Sequence, residues 1–138
     1  MTNVNDYNSQ LIEEFRANDG RLSGHWEGAS LMLLGTTGAK SGQPRTNPVA
    51  FSRVGDDYVV IASKAGAPTS PDWYYNLVAN PDVIVEVPGE TFKARARVTS
   101  GDERRRLFDA QAEAMPGFKD YETKTTREIP VVVLERVA

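Results

Sequence analysis

Leu11, Ile12 and Phe15 fall on one helical face of "NVNDYNSQLIEEFRAN", which predicts an amphipathic N-terminal helix with Asn8 or Ser9 as its cap and a stop at "NDG". After the glycine-bearing loop "RLSGHWEGAS", the unbroken apolar run in "LMLLGTT" reads as a buried strand. "TNPVAFSRV" and the β-branched "YVVIASK" flank the turn "GDD" and predict a hairpin. A second hairpin pairs "DVIVEV" with "TFKARARV" around "PGE". There Phe92, Ala94, Ala96 and Val98 alternate with Lys93, Arg95 and Arg97, the period of a strand wet on one face. Two helices interrupt the strands. "SPDWYYNLVANP" offers Ser70 as cap and Pro71 at the first helical position, and Pro81 ends it. "SGDERRRLFDAQAEAM" opens with Ser100 and Glu103 at capping-box spacing, buries Leu107, Phe108, Ala112 and Met115, and leaves Arg104 to Arg106 as a solvated face. "IPVVVLERV" is the last strand.

At least six strands with helices inserted among hairpins, and no regular strand-helix alternation, predict a mostly β (α+β) fold rather than a parallel sheet. Closing such strands into a small antiparallel barrel removes exposed edges. No internal repeat or low-complexity linker divides the chain. Its 138 residues, 40% of them hydrophobic, suit one domain, with residues 1–20 as the N-terminal helix and 21–138 as the barrel with its helices.

Composition narrows the chemistry. With no cysteine there is no thiolate site, and the one histidine, His25, cannot build a zinc centre of several imidazoles; the expectation is chemistry without a metal. A serine-triad hydrolase would have to be assembled from the same histidine, which stands beside Trp26 with no acid–base partner visible in the sequence and reads as a loop residue. The net charge of −3 lacks the cationic footprint of a general nucleic-acid binder. No stretch approaches the ~18 apolar residues of a membrane span, and the acidic N-terminus does not resemble a signal peptide. The expectation is a cytoplasmic protein, with membrane association at most peripheral through the N-terminal helix, although its acidic "EEF" opposes attraction to anionic lipid.

The stretch "GTTGAKSG", Gly35 to Gly42, invites a phosphate-loop reading, but Lys40 follows Ala39 instead of glycine, and "QPRTNP" supplies extended structure where a Walker helix should begin. It is better read as a hairpin turn in which Gly38 and Gly42 take positive φ. That turn crowds Lys40, Ser41 and Arg45 beside backbone N–H groups, which is the composition of an anion site. A second loop, "ASKAGAPTSPDW", carries Ser63 and Lys64 at a strand end and runs into a helix N-terminus, which also favours anions.

As an ordered set, "LLGTTGAKSGQPRTNPVAF", "VVIASKAGA", "PDWYYNLVANPDVIVEV" and "IPVVVLERV" resemble the deazaflavin-dependent nitroreductase family, the split-barrel reductases that use coenzyme F420. The resemblance runs from about residue 8 to the C-terminus and is carried by "GxKSGxPRxNP", "SKxG" and "WYxNLxANP". It implies an FMN-binding split-barrel-like fold of six to seven mainly antiparallel strands, around a deazaflavin whose tail carries a phosphate and glutamates. By matching positions it implies that Lys40, Arg45 and Lys64 hold the phosphate, assisted by Ser41 and Gln43, with Pro44 and Gly66 also among the coenzyme-binding residues. Asn47, Pro48, Ala62 and Ser63 would then lie along the ring, with Trp73 and Asn76 completing the pocket. Ala39 stands where relatives often carry another cation.

The implied reaction is hydride transfer from the reduced coenzyme to a small electron-poor acceptor: a quinone, an unsaturated lactone or a nitroaromatic. Tyr121 and Ser63 take the catalytic positions, and Ala50, Met115, Phe118 and Tyr121 match the substrate pocket. Only Tyr121 in that pocket keeps a phenolic hydroxyl, which favours larger apolar acceptors over nitroimidazoles. A non-catalytic carrier of F420 or quinone, and a split barrel binding FMN or haem, are the alternatives, because fold alone does not set function. A homodimer formed through an exposed sheet is compatible with all of these.

Overall fold

The computed structural model describes residues 4–20, 31–64 and 69–137. Helix α1 (Val4–Ala17) precedes strands β1 (Leu31–Thr37), β2 (Pro44–Val54) and β3 (Asp57–Ile61). Helix α2 (Asp72–Ala79) leads to β4 (Asp82–Val87) and β5 (Glu90–Val98), and helices α3 (Gly101–Ala114) and α4 (Gly117–Thr123) lead to β6 (Val131–Arg136). All pairings are antiparallel, and the six strands close in the order β1-β2-β3-β6-β5-β4. The split-barrel fold expected from the sequence is therefore the fold observed.

The strands that read as unbroken apolar runs are covered on both faces. From β1, Met32 and Leu34 point into the barrel with Val60, Val85 and Leu134, while Leu31 and Leu33 lie outside beneath Leu11 and Phe15 of α1. From β3 and β6, Tyr58, Val60, Val132 and Leu134 fill the interior; Val59, Ile61, Val131 and Val133 pack outward on Leu107 and Phe108 of α3. Each such side chain contributes about 1.5–3 kcal/mol on burial, so the outer helices are held chiefly by apolar contact. Strand β5 has no such cover on its basic face, and Lys93, Arg95 and Arg97 are exposed as expected. Val98, expected to point inward, is 44% exposed because it ends the strand at the barrel rim.

Several local expectations are corrected. Helix α1 begins at Val4, ahead of the expected caps Asn8 and Ser9, and β2 begins at Pro44. Three helices, not two, follow the first strands, because "GFKDYET" forms the short α4. Pro71, not Ser70, occupies the N-cap of α2. Ser100 does cap α3 by position but makes no side-chain cap bond, and Glu103 pairs with Arg97 instead of completing a capping box. Arg104 is 7% exposed rather than solvated: its Nε donates to Ile129 O at 2.9 Å and lies 3.3 Å from Glu128.

Candidate functional site

Strands β1 and β2 are joined by a turn over residues 38–43 that closes on itself. Gly38 N–H donates to Gln43 O (2.8 Å), Gly42 N–H to Gly38 O (2.9 Å), and Gln43 N–H to Ser41 Oγ (3.2 Å). Gly42 takes φ +69° as expected, whereas Gly38 does not adopt positive φ. Glycine at 38 leaves room for the serine hydroxyl instead: a Cβ there would stand 2.4 Å from Ser41 Oγ, which would have to rotate. The turn is tied to α2 by Asn76. Its Oδ1 accepts from Ala39 N–H at 2.9 Å, and its Nδ2 donates to Thr36 Oγ1 at 3.1 Å.

A cleft of about 1020 Å³ opens beside this turn. Gly38, Ala39, Lys40 and Ser41 form one wall, Arg45, Thr46 and Asn47 of β2 continue it, and Asp72, Tyr75 and Asn76 of α2 face them. Ser9 and Ile12 of α1 close a further side. Helix α1 is pinned at its other end, where Arg16 donates to both carboxylate oxygens of Glu86 (3.2 and 2.8 Å) and Asp19 Oδ1 accepts from Gly89 N–H (2.9 Å). Among the described residues, neither Lys40 nor Arg45 forms an ion pair; Arg45 reaches only Ser41 Oγ, at 3.5 Å. Two cations, a hydroxyl and a tight turn lining one cleft suit a phosphate-bearing ligand, and the cleft is large enough for a drug-sized molecule.

Of the residues anticipated from sequence, the structure gathers Lys40, Ser41, Arg45, Asn47 and Asn76 around this cleft. Gln43, Pro44 and Pro48 flank it on the same turn and strand. Ala62, Ser63 and Lys64 follow β3 and do not line it. Ala62 and Ser63 are buried, and Lys64 is exposed with φ +48°. Trp73 is only 6% exposed and packs in the barrel interior with Leu77 and Val83, a placement that makes it an anchor of α2 rather than a wall of the cleft. Gly66, His25 and Trp26 lie outside the described residues.

The expected acceptor residues are not one cluster. Phe118 and Tyr121 meet edge-on with centroids 5.5 Å apart, packing on the outer cluster beneath α3. Ala50 packs instead with Leu11 and Phe15 of α1, and Met115 terminates α3. Sequence reasoning missed Tyr75, Ile12 and Ser9 as cleft walls, and it missed Arg127. That guanidinium donates to the carbonyls of Ala62 (3.2 Å), Ser63 (2.9 Å) and Thr69 (3.0 Å) and to Ser70 Oγ (3.0 Å). Apart from Arg104, whose buried guanidinium faces Glu128, the ion pairs elsewhere among the described residues join exposed or part-exposed side chains. Arg97 beside Glu103, and Arg105 beside Asp109, hold those carboxyls below their ordinary values through hydrogen bonding.

The closed six-stranded antiparallel barrel with inserted helices is the split-barrel fold of flavin- and deazaflavin-binding proteins, and here a cationic turn opens into a side cleft. Residues 9–136 match the family model described as F420H(2)-dependent quinone reductase, and the chain belongs to that family. It is 41% identical over 126 residues to an F420H(2)-dependent quinone reductase of Mycobacterium tuberculosis (strain ATCC 25618 / H37Rv), covering 88% of this chain and 85% of the relative. Among solved structures it is similar to an F420-H2 dependent reductase (TM-score 0.71, 39% identity, 77% of this chain and 94% of the other). It is likewise similar to a chain described as a domain-swapped dimer (TM-score 0.74, 34% identity, 96% and 100%). The protein is thus an oxidoreductase that uses coenzyme F420 and performs quinone-reductase-type hydride transfer. No helix among the described residues is long and apolar enough to cross a membrane.

Proposed function

We propose that the cleft beside the β1–β2 turn binds the anionic tail of coenzyme F420, with Lys40 and Arg45 on its phosphate and Ser41 as a neutral donor. Lys64 and Ser63 do not line the cleft and enter this reading through their place in the "SKxG" stretch, Lys64 as the third cation and Ser63, with Pro48 and Asn47, toward the ring. The observation that carries it is the convergence of Lys40, Ser41 and Arg45 on one cleft, with no carboxylate among the described residues paired to either cation. Bound in reduced form, the coenzyme supplies a hydride as a two-electron donor. The chain's own residues bind and orient. Asn76 holds the turn against β1, and Ser9 and Ile12 of α1 exclude water from the cleft's outer side.

The proton that completes quinone reduction comes, in this reading, from Tyr121 Oη or from water. Tyr121 is the one phenol among the expected acceptor residues, it is half-buried, and its hydroxyl has no hydrogen-bond partner among the described residues. The physiological form is a homodimer in this reading, supported by the domain-swapped relative. A light-scattering mass equal to one chain would overturn the pairing.

The deciding experiment is a fluorescence titration with F420, followed by oxidation of the reduced coenzyme by menadione. Wild type binds and turns over. Lys40→Ala and Arg45→Ala each weaken binding by about tenfold, the low end for a charge-assisted contact because both side chains are exposed. Full affinity in the double variant would place the tail elsewhere.

A further inference from the structure

We propose that Arg127 is the positioning residue of the loop after β3: it sets the backbone that presents Lys64, and so controls coenzyme binding from outside the binding cleft. The inference rests on the reading above in which Lys64 holds the phosphate.

One guanidinium gathers both ends of a loop. Strand β3 ends at Ile61, so the carbonyls of Ala62 and Ser63 have left the ladder, although both residues are at least nine-tenths buried (0% and 5% exposed). Left unpaired, each such carbonyl would have given up its hydrogen bonds to water with nothing in exchange. Arg127 Nη2 satisfies both, and also Thr69 O at the far end of the loop, while Nη1 donates to Ser70 Oγ. The three carbonyls share the two N–H groups of Nη2, at least one bond being bifurcated, while Nη1 reaches the fourth acceptor; the planar fork places donors on separate atoms, whereas an ammonium carries all three on one.

The loop so held contains a backbone that needs holding. Lys64, the next residue after the two clamped carbonyls, takes φ +48°, a left-handed conformation that is unfavourable for a residue with a Cβ. Such a residue stays there only where its neighbours over-determine it. At the other end, Ser70 N–H donates to Tyr75 Oη at 3.2 Å, and Tyr75 is a wall of the coenzyme cleft. The connection therefore runs from Arg127 through Ser70 and Tyr75 to the cleft.

Arg127 is itself anchored. Its N–H donates to Thr125 Oγ1 at 3.3 Å, and two residues on, Ile129 O accepts from the buried Arg104 of α3. The position of Lys64 is thereby referred to the rigid outer layer of α3 on β3 and β6 rather than to the loop's own composition.

A general staple and a positioning residue differ in what they couple to. The test compares wild type, R127K, R127A, K64A, R127A/K64A and R127A/K40A, by coenzyme titration and by amide hydrogen exchange on the coenzyme-free protein. R127A should speed exchange of the amides of residues 62–64 and 69–70 by at least about tenfold while amides of β1 and β6 keep their protection. It should weaken F420 binding by about tenfold, and K64A should then add less than about twofold, whereas K40A should retain its whole effect. R127K should fall between R127A and wild type in both readouts.

Additive effects of R127A and K64A, or unchanged loop exchange in R127A, overturn the proposal. If R127A loses protection throughout the barrel, R127K decides: loop exchange equal to wild type is again a refutation. Should K64A alone leave affinity untouched, it is the reading of Lys64 as a coenzyme contact that fails. The exchange data then decide on their own whether Arg127 orders the loop.

Discussion

Asn76 Nδ2 donates a 3.1 Å hydrogen bond to Thr36 Oγ1, joining a helix residue to the last turn of a strand forty positions earlier in the chain. The other end of the same amide accepts from Ala39 N–H, so one buried side chain fixes both the strand end and the cationic turn. Both bonds are consumed internally, which makes Asn76 a support for the cleft as well as part of its wall.

Asn76→Leu is therefore expected to cost about 1–3 kcal/mol in denaturant unfolding, chiefly because the buried Thr36 Oγ1 loses its partner, while Ala39 N–H is left to the solvent of the cleft. Coenzyme affinity should fall with it. Asn76→Asp tests the division of labour: it keeps the acceptor for Ala39 but removes the donor to Thr36, and it adds a negative charge beside Lys40. Its affinity loss should exceed its stability loss; equal losses would show that Asn76 acts on folding alone.

Gly38→Ala separates shape from charge in the same turn. A Cβ at 38 meets Ser41 Oγ at 2.4 Å, so the hydroxyl must rotate away from Gln43 N–H and Arg45. We expect a several-fold rise in the coenzyme Kd with little change in Tm. Adding Ser41→Ala removes the clash, and should restore any lost Tm without restoring affinity. Recovery of affinity in the double variant would mean that Ser41 makes no contact with the ligand.

How much of this was legible depended on where the partner groups sit. "LMLL" announced a buried strand, "VVVL" a strand, and "TFKARARV" one wet face, because side-chain burial writes its period into the sequence. The cationic turn was legible for the same reason: Lys40, Ser41 and Arg45 are local to one another. Arg104 was misread because three successive arginines give no sign of which one turns under the helix toward Ile129. Arg127 was invisible because its acceptors are mainly main-chain carbonyls 58–65 residues away, and a carbonyl is the same whichever residue carries it. Helix α4 escaped notice since "GFKDYET" has only Phe118 and Tyr121 as large apolar positions, three apart, and no side-chain cap.

Tyr121→Phe tests the proton donor. The ring packs edge-on to Phe118 against the outer cluster, and Phe retains that contact, so Tm should hold. Turnover with a quinone should fall several-fold while the F420 Kd stays constant, and the loss should grow as pH rises, since water at low pH can replace the donor. Identical rates across the pH range would confine Tyr121 to packing.

Acid should weaken the outer helices before the barrel. Arg97 donates to both oxygens of Glu103 (2.8 and 3.1 Å), and hydrogen bonding, followed by the charge of the same arginine, lowers the Glu103 pKa; Arg105 does the same for Asp109. A carboxyl whose folded pKa is depressed contributes stability in full above its unfolded pKa, because there both states are ionised. As pH falls, the unfolded chain takes up the proton first, and the contribution is lost as pH passes down through the folded pKa. Both carboxyls are exposed, so the effect is screened by salt. Urea midpoints should hence be flat above about pH 5 and fall below it, less steeply in ~0.5 M salt. Glu103→Gln should flatten the acid limb further, and an unchanged slope in that variant would remove the Arg97 pair from the account of acid stability.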